Sequence, residues 1–393
     1  MAVKVNINDK IRGSLMAGAM GDALGYEVEF MRRGAILSMY GARGITQLAL
    51  DKSGKAQISD DTQMALFTAV GILYGDTRGR MTGLCGRLGG YVQDAYIDWY
   101  YTQNIAPKDY RPHTWLYHIK EMHSRRAPGI TCLNACESIL KEKKQQNNSK
   151  GCGGIMRVAP LPLYMLRTAD RCDSIEGLEH ITEACAEIAD CTHKHPLGFL
   201  PAALLGVFLY KISLLTVDEV KTKATELVEE SLQVLDNVYA NKYPSHLKYL
   251  KELSRKAIEL AQSDIKDSEA ILQLGEGWVA EETWAIALFS ALRHINNVEE
   301  AIITSVNHDG DSDSTGSVTG NIMGAIYGYK YIKEKNQLCP KGKKLEDILE
   351  LSDIILEVAD DLTTGCIISE WCAFDTPEKK RWFERYWEVE IKL

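Results

Sequence analysis

From Asp60 to Gly75 the chain reads DDTQMALFTAVGILYG, with Met64, Phe67, Val70 and Ile72 or Leu73 recurring at the interval of a helix face. Gly75 is a natural stop for that helix. The same period runs through GLEHITEACAEIADCTH, VDEVKTKATELVEESLQVLDNVY, ETWAIALFSALRHI and VEEAIITSVNH. Strand-type alternation is nearly absent, and only GITQLAL (residues 44–50) suggests a short hairpin arm. The apolar run PLGFLPAALLGVFLY (residues 196–210) predicts a buried core helix, too short to span a bilayer and broken by Pro201. Polar breaks fall near residues 76–83, 104–113, 141–151, 240–246 and 333–345, none long or biased enough for an interdomain linker. No repeat of solenoid period is present. The pattern predicts an all-α fold, one compact domain over residues 1–393.

Two of the helical stretches carry glycine at close-packing intervals: Gly18, Gly21 and Gly25 in one, Gly316, Gly320, Gly324 and Gly328 in the other. Glycine inside a helix costs about 1 kcal/mol relative to alanine. Repeated use therefore predicts backbones in close approach within a dense core. The composition, 45% hydrophobic and 25% charged, is that of a soluble globular chain. A net charge of −9 argues against a nucleic-acid surface, which rewards clustered Lys and Arg. The one basic stretch, KEKKQQNNSK, reads as a solvated loop. Ten cysteines lie singly, with no CxxC pair, as expected of reduced thiols in a cytosolic chain. The start, MAVKVNINDKIRG, has no apolar core of a secretory signal. A cytoplasmic monomer without membrane contact is the expectation.

Candidate chemistry concentrates in acidic helix starts. In NHDGDSDSTG, Asp309, Asp311 and Asp313 alternate along the chain. A calcium loop begun at Asp309 would need glycine where Ser314 stands and glutamate where Gly320 stands, so that motif is rejected. The second focus is Ser59, Asp60, Asp61 and Thr62. Each focus alone is explained as a helix cap, since a side-chain oxygen satisfies free N–H groups and carboxylates favour the positive end of the helix dipole. The later helix is expected from about Thr315. Two such starts together could supply the carboxylate and hydroxyl oxygens that Mg²⁺ prefers. Spacing establishes neither their convergence nor a second ion.

Four stretches in order, GSLMAGAMGDALGYEVEFM, SDDTQM, GCGGIMRVAPLPLY and NHDGDSDSTGSVTGNIMGAIYG, resemble the ADP-ribosylglycohydrolase family; CTHKHP and GEGWVAEETWAIAL match between the last two. The resemblance covers about residues 9–330 and leaves a helical tail at 331–393. It implies a compact orthogonal helical domain with a binuclear Mg²⁺ centre, Mn²⁺ as the alternative, at the base of an ADP-ribose cleft. By motif position Ser59, Asp60, Asp61, Asp311, Asp313 and Ser314 correspond to the metal ligands, with Asp309 left as a loop or capping residue. Ser314 stands where many members have threonine, and both offer a hydroxyl. Motif register selects Glu29 as the glutamate between metal and substrate; helical alternation alone does not separate it from Glu27. Asp22 corresponds to a supporting aspartate.

The segment SKGCGGIMR reads as a glycine-rich loop opening a helix, and no phosphate-loop motif fits it. The resemblance assigns Gly151, Cys152, Gly153 and Gly154 to the diphosphate and adjacent ribose. Many relatives have asparagine where Cys152 stands, which leaves a polar contact open. His193 corresponds to a histidine near the distal ribose or acceptor, with His195 as its rival. Gly277 and Trp278 are expected to line the cleft, and Glu281 or Glu282 to cap a helix.

The implied reaction is hydrolysis at the anomeric carbon of ADP-ribose attached to an acceptor. Glu29, Asp60 and Asp311 are the catalytic candidates. ADP-ribosyl-arginine on a protein leads; ADP-ribosyl-serine, O-acetyl-ADP-ribose and a modified nucleobase are alternatives. The rival classes are an ADP-ribose-binding protein without turnover and a Mg²⁺-dependent phosphohydrolase.

Overall fold

The computed structural model describes residues 5–143, 147–168, 174–371 and 374–389. The helices run α1 (Ile7–Tyr26), α2 (Arg33–Tyr40), α3 (Asp60–Thr82), α4 (Leu88–Gln103), α5 (Ile130–Leu140), α6 (Pro160–Met165), α7 (Ile175–Asp190), α8 (Pro196–Ser213) and α9 (Val217–Tyr239). They continue as α10 (Pro244–Gln262), α11 (Asp267–Leu274), α12 (Ala280–Arg293), α13 (Val298–Val306), α14 (Ser312–Tyr327), α15 (Tyr329–Lys335), α16 (Leu345–Ile348), α17 (Ser352–Thr364) and α18 (Pro377–Tyr386). No strand forms among the described residues; isolated bridges join Ala56 to Leu349 and Gly151 to Val279. The fold is all-α, as the periodicity predicts.

The glycine stripes are the contact faces of α1 and α14. A Cβ at Gly21 would collide with the Gly316 carbonyl, one at Gly25 with Ser312, one at Gly320 with Ala17 and one at Gly324 with Gly13. The partners step forward on one helix and backward on the other, so the two run antiparallel with bare backbones in contact at successive turns. This register sets the C-terminal end of α1, and the turn that carries Glu29, beside the first turn of α14. The cost of glycine is thus offset by placement of two remote segments.

Several expectations are corrected. The helix from Asp60 passes Gly75 and ends at Thr82, so residues 76–83 are not a break; Gly83, at φ +69°, is the stop. A Cβ at Gly75 would lie 2.6 Å from the Tyr91 ring, so that glycine admits α4. The helix at Pro196 continues through Pro201 to Ser213. At 18 residues it is long and apolar enough to cross a membrane, yet 89% of it is buried inside the protein. Packing on all sides holds the helix across the one backbone bond that Pro201 removes. Residues 44–50 form no hairpin arm; Leu48 N–H instead donates to the Leu338 carbonyl at 2.8 Å. The later acidic helix begins at Ser312, with Asp311 as its cap, rather than near Thr315.

Buried side chains from α1 to α18 join one hydrophobic cluster, with Trp99, Trp284 and Trp382 fully enclosed. The tail docks on the N-terminal helices: Arg12 forks onto Asp360 at 2.5 and 2.6 Å, and the Trp382 indole donates to Thr77 Oγ1 at 2.9 Å.

Candidate functional site

Ser59 caps α3 by accepting from Asp61 N–H at 3.1 Å. Asp60 and Asp61 therefore occupy its first turn, where the helix dipole favours carboxylates. Asp22, fully buried on α1, clamps that turn: its carboxylate accepts from Ser59 N–H at 3.0 Å, from Thr62 N–H at 3.1 Å and from the Thr62 hydroxyl. Asp311 caps α14 by accepting from Ser314 N–H at 3.2 Å, and Asp313 accepts from the same N–H at 2.8 Å. The two caps meet. The Ser59 hydroxyl reaches both the Asp22 and Asp313 carboxylates, and Asp61 feels the charges of Asp313 and Asp311. What spacing alone could not establish, the α1–α14 contact brings about.

Glu29, Asp60, Asp61, Asp311, Asp313 and Ser314 line one cleft of about 500 Å³, together with Gly151, Cys152, Gly153, Met156 and His193. Ser59 sits behind this wall as cap. Gly154 does not line the cleft; a Cβ there would press on the Gly198 carbonyl, so its role is to let α8 approach. Glu27 is exposed and accepts from the Tyr40 hydroxyl at 3.1 Å, whereas Glu29 is buried with Oε2 unpartnered. His193 is 2% exposed, while His195 caps α8 by accepting from Leu197 N–H at 3.0 Å. Asp309 accepts from Arg33 N–H at 2.6 Å, capping α2 from across the chain.

The glycine-rich segment is a short 3₁₀ turn at Cys152–Gly154, not the opening of a long helix. It is held by Cys152 N–H donating to the Trp278 carbonyl at 3.2 Å. The Cys152 thiol, kept protonated by burial and the Asp311 charge, donates to Asp311 Oδ2 at 2.8 Å. The side chain at this position of the turn is thus a weak donor held by the acidic cluster. Glu282 caps no helix; it accepts from Glu276 and Gly277 N–H at 2.9 and 3.1 Å, tying the loop that carries Trp278. Glu281 is ion-paired with Lys150.

Sequence reading missed the opposite wall, Ala127 to Cys132, where Asp60 Oδ2 accepts from Gly129 N–H at 3.1 Å. Its signal was the turn-forming RAPG ahead of an apolar stretch. The stacked Phe30 and Trp278 at the mouth, with centroids 6.2 Å apart, were half seen.

Burial raises the pKa of Asp22, Glu29, Asp60, Asp61, Asp311 and Asp313, and for most the neighbouring carboxylates add to it; Asp22 is pushed up to about 7 and Glu29 to about 10. Rim ion pairs such as Arg126–Glu350 and Lys150–Glu281 engage other acids. Among the described residues no Lys or Arg forms an ion pair with the clustered carboxylates. Raised acid pKa values mean that the folded state binds more protons than the unfolded one, so stability falls as pH rises. In a chelator the melting temperature should therefore drop from about pH 5 to pH 8, at up to about 1.4 kcal/mol per unit for each group still titrating. Mg²⁺ should flatten that slope. A melting temperature independent of pH in both conditions would contradict mutual repulsion in the cluster.

The cleft's oxygen-rich floor fits hard cations: Asp61 Oδ2 and Glu29 Oε2 are buried with no hydrogen-bond partner. No group of three His, Cys, Asp or Glu among the described residues is pre-arranged around one point.

Residues 4–366 match the model of the ADP-ribosylglycohydrolase family. An ADP-ribosylhydrolase ARH1 of Dictyostelium discoideum is 27% identical, over 84% of this chain and 89% of its own. An ADP-ribosyl-(dinitrogen reductase) glycohydrolase of Rhodospirillum rubrum is 24% identical over 82% and 87%. The human ADP-ribosylhydrolase ARH3 is 25% identical, over 55% of this chain and 62% of its own. A solved chain described as an ADP-ribosylglycohydrolase-related protein complex shares the fold, with TM-score 0.59 and 21% identity over 91% of this chain and 98% of that one. The chain belongs to the ADP-ribosylglycohydrolase family, and with it to the hydrolases that act on glycosidic bonds.

Proposed function

We propose that the protein cleaves the bond between the anomeric carbon of ADP-ribose and an acceptor, with ADP-ribosyl-arginine on a protein as the leading substrate. The observation that carries this reading is the buried cluster of Asp60, Asp61, Asp311 and Asp313 beside Glu29, facing the glycine turn across one cleft. Repulsion of this size calls for cations from outside the chain. Asp60, Asp61, Asp311 and Asp313, with the hydroxyl of Ser314 on the cleft wall and that of Ser59 beneath it, would hold a pair of Mg²⁺ ions, or Mn²⁺ in their place. This set of carboxylate and hydroxyl oxygens is of the kind that hard divalent cations take. When bound, they would supply fixed positive charge that neutralises the carboxylates and polarises ribose oxygens.

The chain's own groups then do the rest. The bare backbone at Gly151 and Gly153 lets the diphosphate approach without side chains in the way, although the Gly151 and Cys152 N–H groups are already engaged by Ser149 Oγ and the Trp278 carbonyl. Cleavage passes through an oxocarbenium-like state, which the Glu29 carboxylate, outside the ligand set, favours once ionised. Positive charge nearby returns Glu29 to its ionised form, so Oε2 can take the proton of the attacking water. The departing nitrogen keeps the bonding pair and takes a proton from solvent. The arginine acceptor is supported by the mouth, where Phe30, 74% exposed, stacks on Trp278 and offers a flat face. A planar guanidinium binds such a face well.

The test is incubation with Mg²⁺ and either ADP-ribosyl-arginine or an ADP-ribosyl-serine peptide, followed by product identification. Free ADP-ribose with the arginine substrate preferred is expected, and a chelator should abolish its release. AMP as product would mean phosphohydrolysis, and tight binding without turnover a reader; either result overturns the proposal.

A further inference from the structure

Behind the glycine turn lies a fully buried arginine that the reaction does not use. Arg157 forms no ion pair among the described residues. It lies over the Tyr96 ring at 4.3 Å and donates to Cys132 Sγ at 3.4 Å, to the Ile188 carbonyl at 3.3 Å and to Thr192 Oγ1 at 2.5 Å. Thr192 Oγ1 in turn lies 2.8 Å from His193 Nδ1. The far side of that imidazole faces the glycine turn: Cβ atoms at Gly151 and Gly153 would each stand 3.3 Å from Nε2.

Donor and acceptor capacity decides how this chain of contacts is polarised. A guanidinium has donors only, so the Thr192 oxygen accepts from Arg157. The hydroxyl then has one proton to give. Its possible acceptors are the nearby Cys132 sulfur and His193 Nδ1, which lies at hydrogen-bond distance. Burial keeps Cys132 a neutral thiol, and a thiol sulfur is a weak acceptor beside an imidazole lone pair. The proton therefore goes to Nδ1. Burial, with the Arg157 charge behind, also lowers the His193 pKa to about 3, so the ring is neutral and its one proton is left on Nε2.

We propose that Arg157 and Thr192 are positioning residues that lock His193 as the Nε2–H tautomer, so that the cleft presents an imidazole N–H donor, and not a base, to ligand oxygens. The recognised group is an oxygen lone pair, as on a phosphate or a ribose hydroxyl. Because Nδ1 is already occupied, the ring cannot turn its acceptor nitrogen to the ligand without breaking the relay. This excludes His193 as the proton acceptor of the reaction and leaves that task to the carboxylates.

Nitrogen-15 NMR of histidine-labelled protein without substrate reads the tautomer directly, so the result is separable from whether ADP-ribosyl-arginine is hydrolysed. His193 should show a protonated Nε2 and an unprotonated Nδ1 across neutral pH. Thr192→Val should mix or reverse the tautomers and weaken ADP-ribose binding about three- to tenfold, the value of one lost hydrogen bond. Thr192→Ser, which keeps the hydroxyl, should restore both. A protonated Nδ1 in the wild type would overturn the proposal, even if Thr192→Val fails to fold. So would a Thr192→Val protein with unchanged tautomer and affinity, or a Thr192→Ser protein that rescues neither.

Discussion

Asp311→Asn should lower kcat/KM for ADP-ribosyl-arginine by about a thousandfold, roughly 4 kcal/mol of transition-state stabilisation, while leaving the circular dichroism spectrum unchanged. The fold should survive because Asn keeps a side-chain oxygen for the Ser314 N–H that Asp311 caps at 3.2 Å. What disappears is the negative charge that would grip a cation. Calorimetry should accordingly show Mg²⁺ binding weakened in the same variant. In a chelator the effect on stability should have the opposite sign. Removing one of several crowded buried carboxylates relieves repulsion, so the metal-free variant should melt above the metal-free wild type at pH 8. Wild-type turnover by Asp311→Asn would remove Asp311 from the ligand set. Lost turnover with unimpaired Mg²⁺ binding would instead place its role in the chemistry rather than in holding the ion.

Gly316→Ala should destabilise the protein by about 1–3 kcal/mol, although the same change in an isolated helix would stabilise it by about 1 kcal/mol. The sign reverses because a Cβ at Gly316 would be driven into the Gly21 carbonyl and into Val306 Cγ1 at 2.8 Å. Backbone on one side cannot swing away as a side chain can. Gly316→Val should cost more, about 3 kcal/mol or above, with expression falling accordingly. Whatever folded protein remains should be poorly active, since forcing α1 from α14 separates Glu29 from Asp311 and Asp313. A control at Gly34, where a Cβ would meet nothing within 4 Å, should be neutral or slightly stabilising. Chemical denaturation of the three variants checks this order. Gly316→Ala as stable as wild type would mean that the helices have room to part, and the account of how the site is assembled would fail.

These two sites show what could be read without coordinates. The acidic caps were legible because Ser59 and Asp311 each accept from an N–H within three residues, a local geometry that sequence spacing encodes. The glycine stripes were legible for the same reason, since a face of a helix repeats every three or four residues. Helix ends were read less well. Gly75 looked like a stop and is a contact with Tyr91; Pro201 looked like a break and lies in a continuous helix. In both cases tertiary packing outweighed a local tendency worth a few kcal/mol at most.

By itself, then, the order of residues determined the helical class, the two capped acidic turns, the small-residue faces and the likeness to a family, all of which depend on neighbours a few positions apart. Tertiary structure showed that Asp61 and Asp313 lie near each other, and that Glu29 and His193, which motif register had selected, face the cleft while Glu27 and His195 do not; it alone decided that Gly154 makes room for a helix and that a buried arginine stands behind the imidazole. Those facts depend on which faces of remote helices are bare enough to touch. The free energy of that contact belongs to pairs of residues some three hundred positions apart, and no local pattern contains it.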